Sequence, residues 1–193
     1  KQVKVLEKGQ FDVVCCGVEL INESNNKKMG KIIPNAEGNQ HCNMLKFNLR
    51  IGTGSNPMFT RNIIERTGYF DEEFIRRQDI EYMLRILRTG KMCVIPEVLV
   101  SKYQSGHPNR PNIEKFEEVH KMWLEKYKVD IEKYSLEEQK EIYRNNYHQL
   151  CIIAVDERNW KKMYKYYKDA KEYKKYTIKM KLGIIKHIIN SNY

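Results

Sequence analysis

The sequence predicts an α/β domain followed by an all-helical extension, and three observations predict it. Residues 11–103 alternate short apolar, strand-like runs with short helix-like stretches. From Asn112 onwards apolar residues fall at three- and four-residue steps, the spacing of one helix face. The positive charge is gathered at one end: from Arg158 to Tyr193 eleven Lys and Arg stand against Asp169 and Glu172, in a chain of net charge +10. The rest of the chain is close to neutral, which argues against a nucleic-acid enzyme with a basic cleft.

The 193 residues suffice for one domain of ordinary size plus an appendage. No apolar run approaches the roughly 20 residues of a membrane span, and no signal-peptide pattern is present. The expected location is cytoplasmic, with peripheral attachment to the inner face of the membrane as an added property. The five cysteines are odd in number and lack paired zinc-type spacing, so they read as buried thiols of a reducing compartment. Cys15 and Cys16 are adjacent on a strand and point to opposite faces, a poor arrangement for a shared metal clamp.

In chain order, residues 1–8 read as the end of a helix, and residues 11–20, FDVVCCGVEL, as a strand. The polar cluster Asn22–Lys28 is a turn, with Met29–Ile33 as the return strand of a hairpin and Pro34–Gly38 as a second loop. Met44, Leu45 and Leu49 give Asn39–Leu49 a helical spacing, with Phe47 off the stripe. Gly52 and Gly54 permit backbone angles or close approaches that a side chain forbids. Asn56–Thr60 is a short strand and Arg61–Arg66 a short helix. In the turn Gly68–Glu72, Tyr69 and Phe70 are expected to pack inward and Asp71 to cap the next turn. Ile80, Met83, Leu84, Ile86 and Leu87 define an amphipathic helix that opens at Gln78-Asp79, reaches Arg88 and stops at Thr89-Gly90. Met92–Ile95 and Val98–Tyr103 read as two strands broken at Pro96.

The loop Ser105–Pro111 closes the first domain, expected over residues 1–111, and a basic helical extension is expected over 112–193. Phe116, Val119, Trp123 and Tyr127 line its first helix. Ser135-Leu136-Glu137-Glu138 opens the second with capping-box spacing. Residues 156–159 suggest a turn, Trp160–Tyr176 a partner helix, and Ile178–Ile189 a last helix with lysines opposite its apolar side.

Between Gly52 and His107 the order is a small-residue turn and strand, Arg61 with a short helix, the Gly68–Glu72 turn GYFDE, and Gln78-Asp79 at a helix start. Arg85, a Gly90-Lys91 stop and the final strand runs follow. This order resembles the second half of the catalytic domain of family-2 glycosyltransferases with the GT-A fold. The resemblance implies a partial GT-A sheet ahead of the helical extension. It also implies inverting transfer of a sugar from a nucleotide-sugar donor to a saccharide or lipid-linked acceptor, in surface polysaccharide or glycan synthesis. The complete enzyme is then expected to use a divalent metal, Mn or Mg. The acidic DxD motif that holds the metal and the donor pyrophosphate in that family occurs nowhere in the chain, nor do the first nucleotide-binding strands. The chain is accordingly expected to be a piece of a longer enzyme, inactive by itself.

An acceptor hydroxyl must lose a proton as it attacks, so a carboxylate must stand near it as general base. The departing diphosphate must be neutralised by a metal or its equivalent. The resemblance implies that Asp79 is the base, with Gln78 standing where the family more often has Glu. By position alone Asp79 is an acid at a helix start, where unpaired N–H groups favour anions, and an ordinary helix cap is the plainer reading. Gly52, Thr53, Gly54, Ser55 and Asn56 are candidates for the floor of the acceptor site. Arg85, two turns past Asp79, is either a substrate contact or a structural ion-pair partner. Ser105, with Lys102, Asn109 and Arg110, is a candidate phosphate contact. His107 is a candidate metal ligand or diphosphate contact, or a solvent-facing loop histidine. Two readings of other classes stand beside the enzyme: a non-catalytic interaction module built from a degenerate transferase half, and an anionic membrane surface met by the Lys- and Tyr-rich tail. Nucleic acid is not an expected partner.

Overall fold

A computed structural model describes residues 1–104 and 112–191. The chain divides into two compact units, Lys1–Arg110 and Pro111–Tyr193. The first is mixed α/β and the second is helical.

After a short helix α1 (Gln2–Leu6), the first unit is built around strand β1 (Val13–Asn22), whose residues 13–18 are buried. One edge of β1 is shared by two short antiparallel partners. β2 (Lys28–Ile32) pairs with Val18–Ile21, and β3 (Met58–Phe59) pairs with Val13 and Val14. The other edge carries β4 (Met92–Gln104), parallel to β1 along its whole length. The sheet is therefore mixed, with the apolar run of β1 enclosed at its centre.

The two strands expected around Pro96 are one. The ladder pairs Cys16 with Ile95 and Gly17 with Val98, so Pro96 and Glu97 bulge out between them. Proline lacks an N–H for the ladder, and a bulge lets the strand continue past it. Gly17 makes the bulge possible: a Cβ there would sit 2.9 Å from the Glu97 carbonyl oxygen.

Helix α2 (Gln40–Leu45) is capped by Asn39, whose side chain accepts from the Cys42 N–H. It stops short of the expected Leu49 because Phe47 takes a left-handed conformation, φ 55°. Helix α3 (Arg61–Thr67) is capped by Thr60 and ends at Gly68, φ 78°. Helix α4 (Gln78–Leu87) buries Tyr82, Met83, Leu84, Ile86 and Leu87. The turn before it departs from expectation: Tyr69 is 85% and Phe70 55% exposed. Phe74 supplies the buried anchor instead. The turn is also held through its backbone, since Arg85 donates to the Thr67 and Tyr69 carbonyls at 2.8 and 2.6 Å. Phe70 still stacks on Tyr82, with ring centroids 4.6 Å apart. Asp71 caps as expected, accepting from the Glu73 N–H at 3.0 Å.

The second unit comprises α5 (Ile113–Glu132), α6 (Leu136–Asp156), α7 (Trp160–Tyr173) and α8 (Ile178–Ser191). Leu150, Cys151, Ala154, Val155, Tyr166, Ala170, Tyr176 and Ile184 form its core with Ile113. Helix α7 ends three residues before the expected Tyr176, because Lys174 turns extended. Arg158, φ 58°, makes the left-handed turn that reverses the chain between α6 and α7. Among the described residues no helix is long and apolar enough to cross a membrane.

The expected capping box is present. Ser135 Oγ accepts from the Glu138 N–H at 3.3 Å, and Glu138 Oε2 accepts from the Ser135 N–H at 3.2 Å. Ser135→Ala is therefore expected to destabilise the helical unit by about 1 kcal/mol. Both tryptophans of the chain, Trp123 and Trp160, lie in this unit. Urea denaturation followed by their fluorescence is the measurement, and an unmoved midpoint would show that the cap contributes nothing.

Candidate functional site

Helix α4 opens abruptly. Arg77 takes a left-handed conformation, φ 62°, and the next residues, Gln78 and Asp79, are already in the first turn. The Arg77 guanidinium lies 4.7 Å from the centre of the Phe47 ring. Burial lowers its pKa to about 10, so it remains a cation at neutral pH. Asp79 and Glu81 place two acids in the first turn, the end of the helix where negative charge is favoured. The two have different fates. Asp79 is half-buried and its Oδ1 accepts from the Ile80 N–H at 2.9 Å. Glu81 is fully buried and is gripped by Arg85, whose Nε and Nη2 donate to its two oxygens at 2.8 and 3.1 Å.

The glycine-rich turn comes directly against the start of α4. A Cβ on Gly54 would lie 3.2 Å from Asp79 Cβ and 3.4 Å from its Oδ2. Residues remote in sequence are thus joined at the one acid singled out for chemistry. Gly52 secures the other end of the turn. Its φ is +82°, and a Cβ there would approach a Val18 methyl to 2.9 Å, so the backbone rests on β1. The Gly52 carbonyl accepts from Lys102 Nζ on β4 at 3.4 Å. Thr53 is half-buried, and Gly54 and Ser55 are exposed.

Two of the candidates are engaged in holding the fold. Asn56 sits in the gap between β3 and β2 on the edge of β1. Its Oδ1 accepts from the Cys16 N–H at 2.8 Å, and its Nδ2 donates to the Cys16 carbonyl at 2.9 Å. Nδ2 also donates to the Ile51 carbonyl at 2.7 Å. The side chain thus replaces a missing rung of the sheet. Arg85 is bound to Glu81 and to the carbonyls of Thr67 and Tyr69. Of the pair of roles read for it from sequence, the ion-pair role is the one its contacts display. Gln78 is exposed beside Asp79. Ser105 and His107, with Asn109 and Arg110, lie outside the described residues.

Sequence reasoning passed over Glu81 as a member of the site's framework. The signal was available: Glu81 and Arg85 are four apart in a helix, the spacing at which such side chains meet. It also passed over Arg77, because nothing in the sequence marks a left-handed arginine.

All five cysteines are thiols rather than disulfides, and four are buried. Burial pushes the Cys15 thiol up to about 12, which leaves it protonated and inert at neutral pH. Among the described residues no group of three or more His, Cys, Asp or Glu side chains is arranged to hold a metal ion. The divalent metal implied by the resemblance therefore has no complete donor set among them.

The arrangement offers a partly open carboxylate at a helix start, approached on one side by Gly54, which has no side chain. Such a group can accept a proton from a hydroxyl brought to it across the turn. No protein-family model matches the chain, and no curated protein matches it.

Proposed function

We propose that the first unit is the acceptor side of a family-2 glycosyltransferase of GT-A fold. Asp79 is its general base, deprotonating the acceptor hydroxyl as it displaces a nucleoside diphosphate from the donor sugar. The observation that carries this reading is the contact between Gly54 and Asp79. It joins the two parts of the family-like order that chemistry requires to be adjacent, a small-residue floor and an acid. Supporting it are the parallel pairing of β1 with β4 and the half-buried state of Asp79. Donor and metal binding belong, on this reading, to a DxD-bearing half supplied outside this chain. The acceptor is a saccharide or a lipid-linked glycan.

Asn56 and Arg85, both engaged in scaffolding, favour a second reading, an interaction module that keeps the fold without the reaction. The reading frame upstream of Lys1 separates the two. A strand ending in an acidic DxD is expected there, together with sugar transfer by the complete protein. Transfer activity lacking in a folded, complete protein would leave the module.

Gly54→Val is a sharper probe of the contact. Its methyls would enter the space of the Asp79 carboxylate, and no left-handed backbone strain complicates the change. Misplacing a catalytic group by about 1 Å costs on the order of 10²-fold in rate, and that is the expected loss of turnover in the complete enzyme. Leu136→Ala, at an exposed residue of the helical unit, is expected to keep full activity. Equal activity of Gly54→Val and the parent would disconnect the turn from the reaction.

A further inference from the structure

Helix α8 has two apolar faces. Met180, Ile184 and Ile188 join the core of the helical unit. The helix is fastened at its start by Thr177, whose hydroxyl accepts from the Met180 N–H at 3.2 Å. Farther along, His187 Nδ1 lies 2.9 Å from Asp156 Oδ1 at the end of α6. The second face consists of Ile178, Leu182, Ile185 and Ile189, which are 79, 60, 51 and 54% exposed. At about 100° per residue these four fall within a stripe roughly 60° wide. Single exposed aliphatic residues are ordinary, but four in line on one helix form an interaction surface.

The charges around the stripe select its occupant. Lys179 and Lys186 run along one side of it and Lys181 along the other, and all three are exposed. Helix α8 contains no acidic residue. Two copies meeting through this face would bring lysines against lysines. An anionic lipid surface instead meets both features at once: acyl chains receive the stripe, and headgroup charge lies at the level of the ammonium groups. Lysine stems can lie along the apolar surface while their charged ends stay among the headgroups. At 14 residues, α8 is about 21 Å long, and it lacks the length and the apolarity to span a bilayer. Its place is in the plane of the interface.

We infer that α8 is a membrane-docking helix, seating Ile178, Leu182, Ile185 and Ile189 in an anionic bilayer surface with Lys179, Lys181 and Lys186 on the headgroups. This assigns the anionic-surface contact to one face of one helix rather than to the basic tail at large. Farther up the tail, Lys162 is held by Glu114 and Glu117 at 2.7 and 2.9 Å, and Lys174 by Glu137 at 2.7 Å.

The test is co-sedimentation of the whole chain with vesicles of phosphatidylcholine alone or with about one-third phosphatidylserine. Binding is expected to the anionic vesicles and to weaken steeply as salt shortens the Debye length from about 10 Å at 0.1 M. The double substitution Leu182→Asp and Ile185→Asp is expected to abolish it. Lys179→Gln, Lys181→Gln and Lys186→Gln together should weaken it about a hundred-fold, roughly five-fold for each lysine. Leu136→Asp, at an apolar residue 74% exposed on α6, should leave it unchanged. All of these side chains are exposed, so circular dichroism and tryptophan fluorescence should report an intact fold. Three results would overturn the inference: equal binding to neutral and anionic vesicles, anionic binding that survives the two aspartates, or no vesicle binding at all. A fourth is a dimer in solution that the aspartates dissociate, which would assign the stripe to a second copy of the chain.

Discussion

Replacing Asn56 with Ala is expected to lower the stability of the α/β unit by about 3–5 kcal/mol, although the side chain touches none of the proposed chemistry. Asn56 is 2% exposed, and its carboxamide meets three backbone groups, the Cys16 N–H and the carbonyls of Cys16 and Ile51. Each buried polar group left without a partner costs about 1–3 kcal/mol. The loss would also fall at the centre of the sheet, where β1 passes from its pairing with β3 to its pairing with β2. A domain is stable by only about 5–15 kcal/mol, so a large part of the margin is at stake. Asn56→Asp should be at least as damaging, since it keeps an acceptor for the Cys16 N–H but turns a carboxylate toward two carbonyl oxygens. Denaturation followed by far-UV circular dichroism, with hydrogen exchange at Cys16, is the measurement. A loss below about 1 kcal/mol would mean that water or backbone adjustment takes over the rung.

Asn56 also shows where the sequence stopped being informative. The strand character of FDVVCCGVEL, the hairpin that follows it, the capping box at Ser135, and the four-helix order after Asn112 were legible, because each rests on local period or local hydrogen bonding. Asn56 was read as part of a binding floor because it closes a glycine-rich stretch. Its two Cys16 partners are forty residues away on β1, and no local pattern encodes a side chain that fills a gap in a ladder. Pro96 misled in the opposite direction: proline has no N–H for the ladder and so reads as a break, but here Gly17 on the neighbouring strand leaves room for a bulge. Tyr69 and Phe70 were expected inside on hydrophobicity alone, whereas the turn is pinned through its carbonyls by Arg85. In the candidate site, the position of Asp79 at a helix start was readable. Its contact with Gly54 was not, because that contact depends on how the turn lies on Val18 of β1.

In the complete enzyme, Asp79→Asn is expected to reduce turnover by about 10²–10⁴-fold, the usual worth of a positioned general base. The substitution keeps the size of the side chain. It also keeps an oxygen able to accept from the Ile80 N–H, as Asp79 Oδ1 does. Asp79 lies in the first turn rather than at the N-cap, so losing its negative charge should cost about 0.3–1 kcal/mol, and the melting transition should move only slightly. The larger loss is that of the proton acceptor. Donor binding should be unaffected, because the diphosphate is held elsewhere on this reading, and the defect should appear in kcat rather than in KM for the donor. Gln78→Ala is the local control: the side chain is exposed and adjacent, and its removal should cost far less. The pair of variants separates two causes of a slow enzyme. If both are slow and both melt early, the opening of α4 has been disturbed and nothing follows about proton transfer. If Asp79→Asn alone is slow at a nearly unchanged melt, the carboxylate is the base. If it is fully active and normally folded, Asp79 is only the first-turn acid of a well-made helix, and the floor at Gly54 serves packing rather than an acceptor.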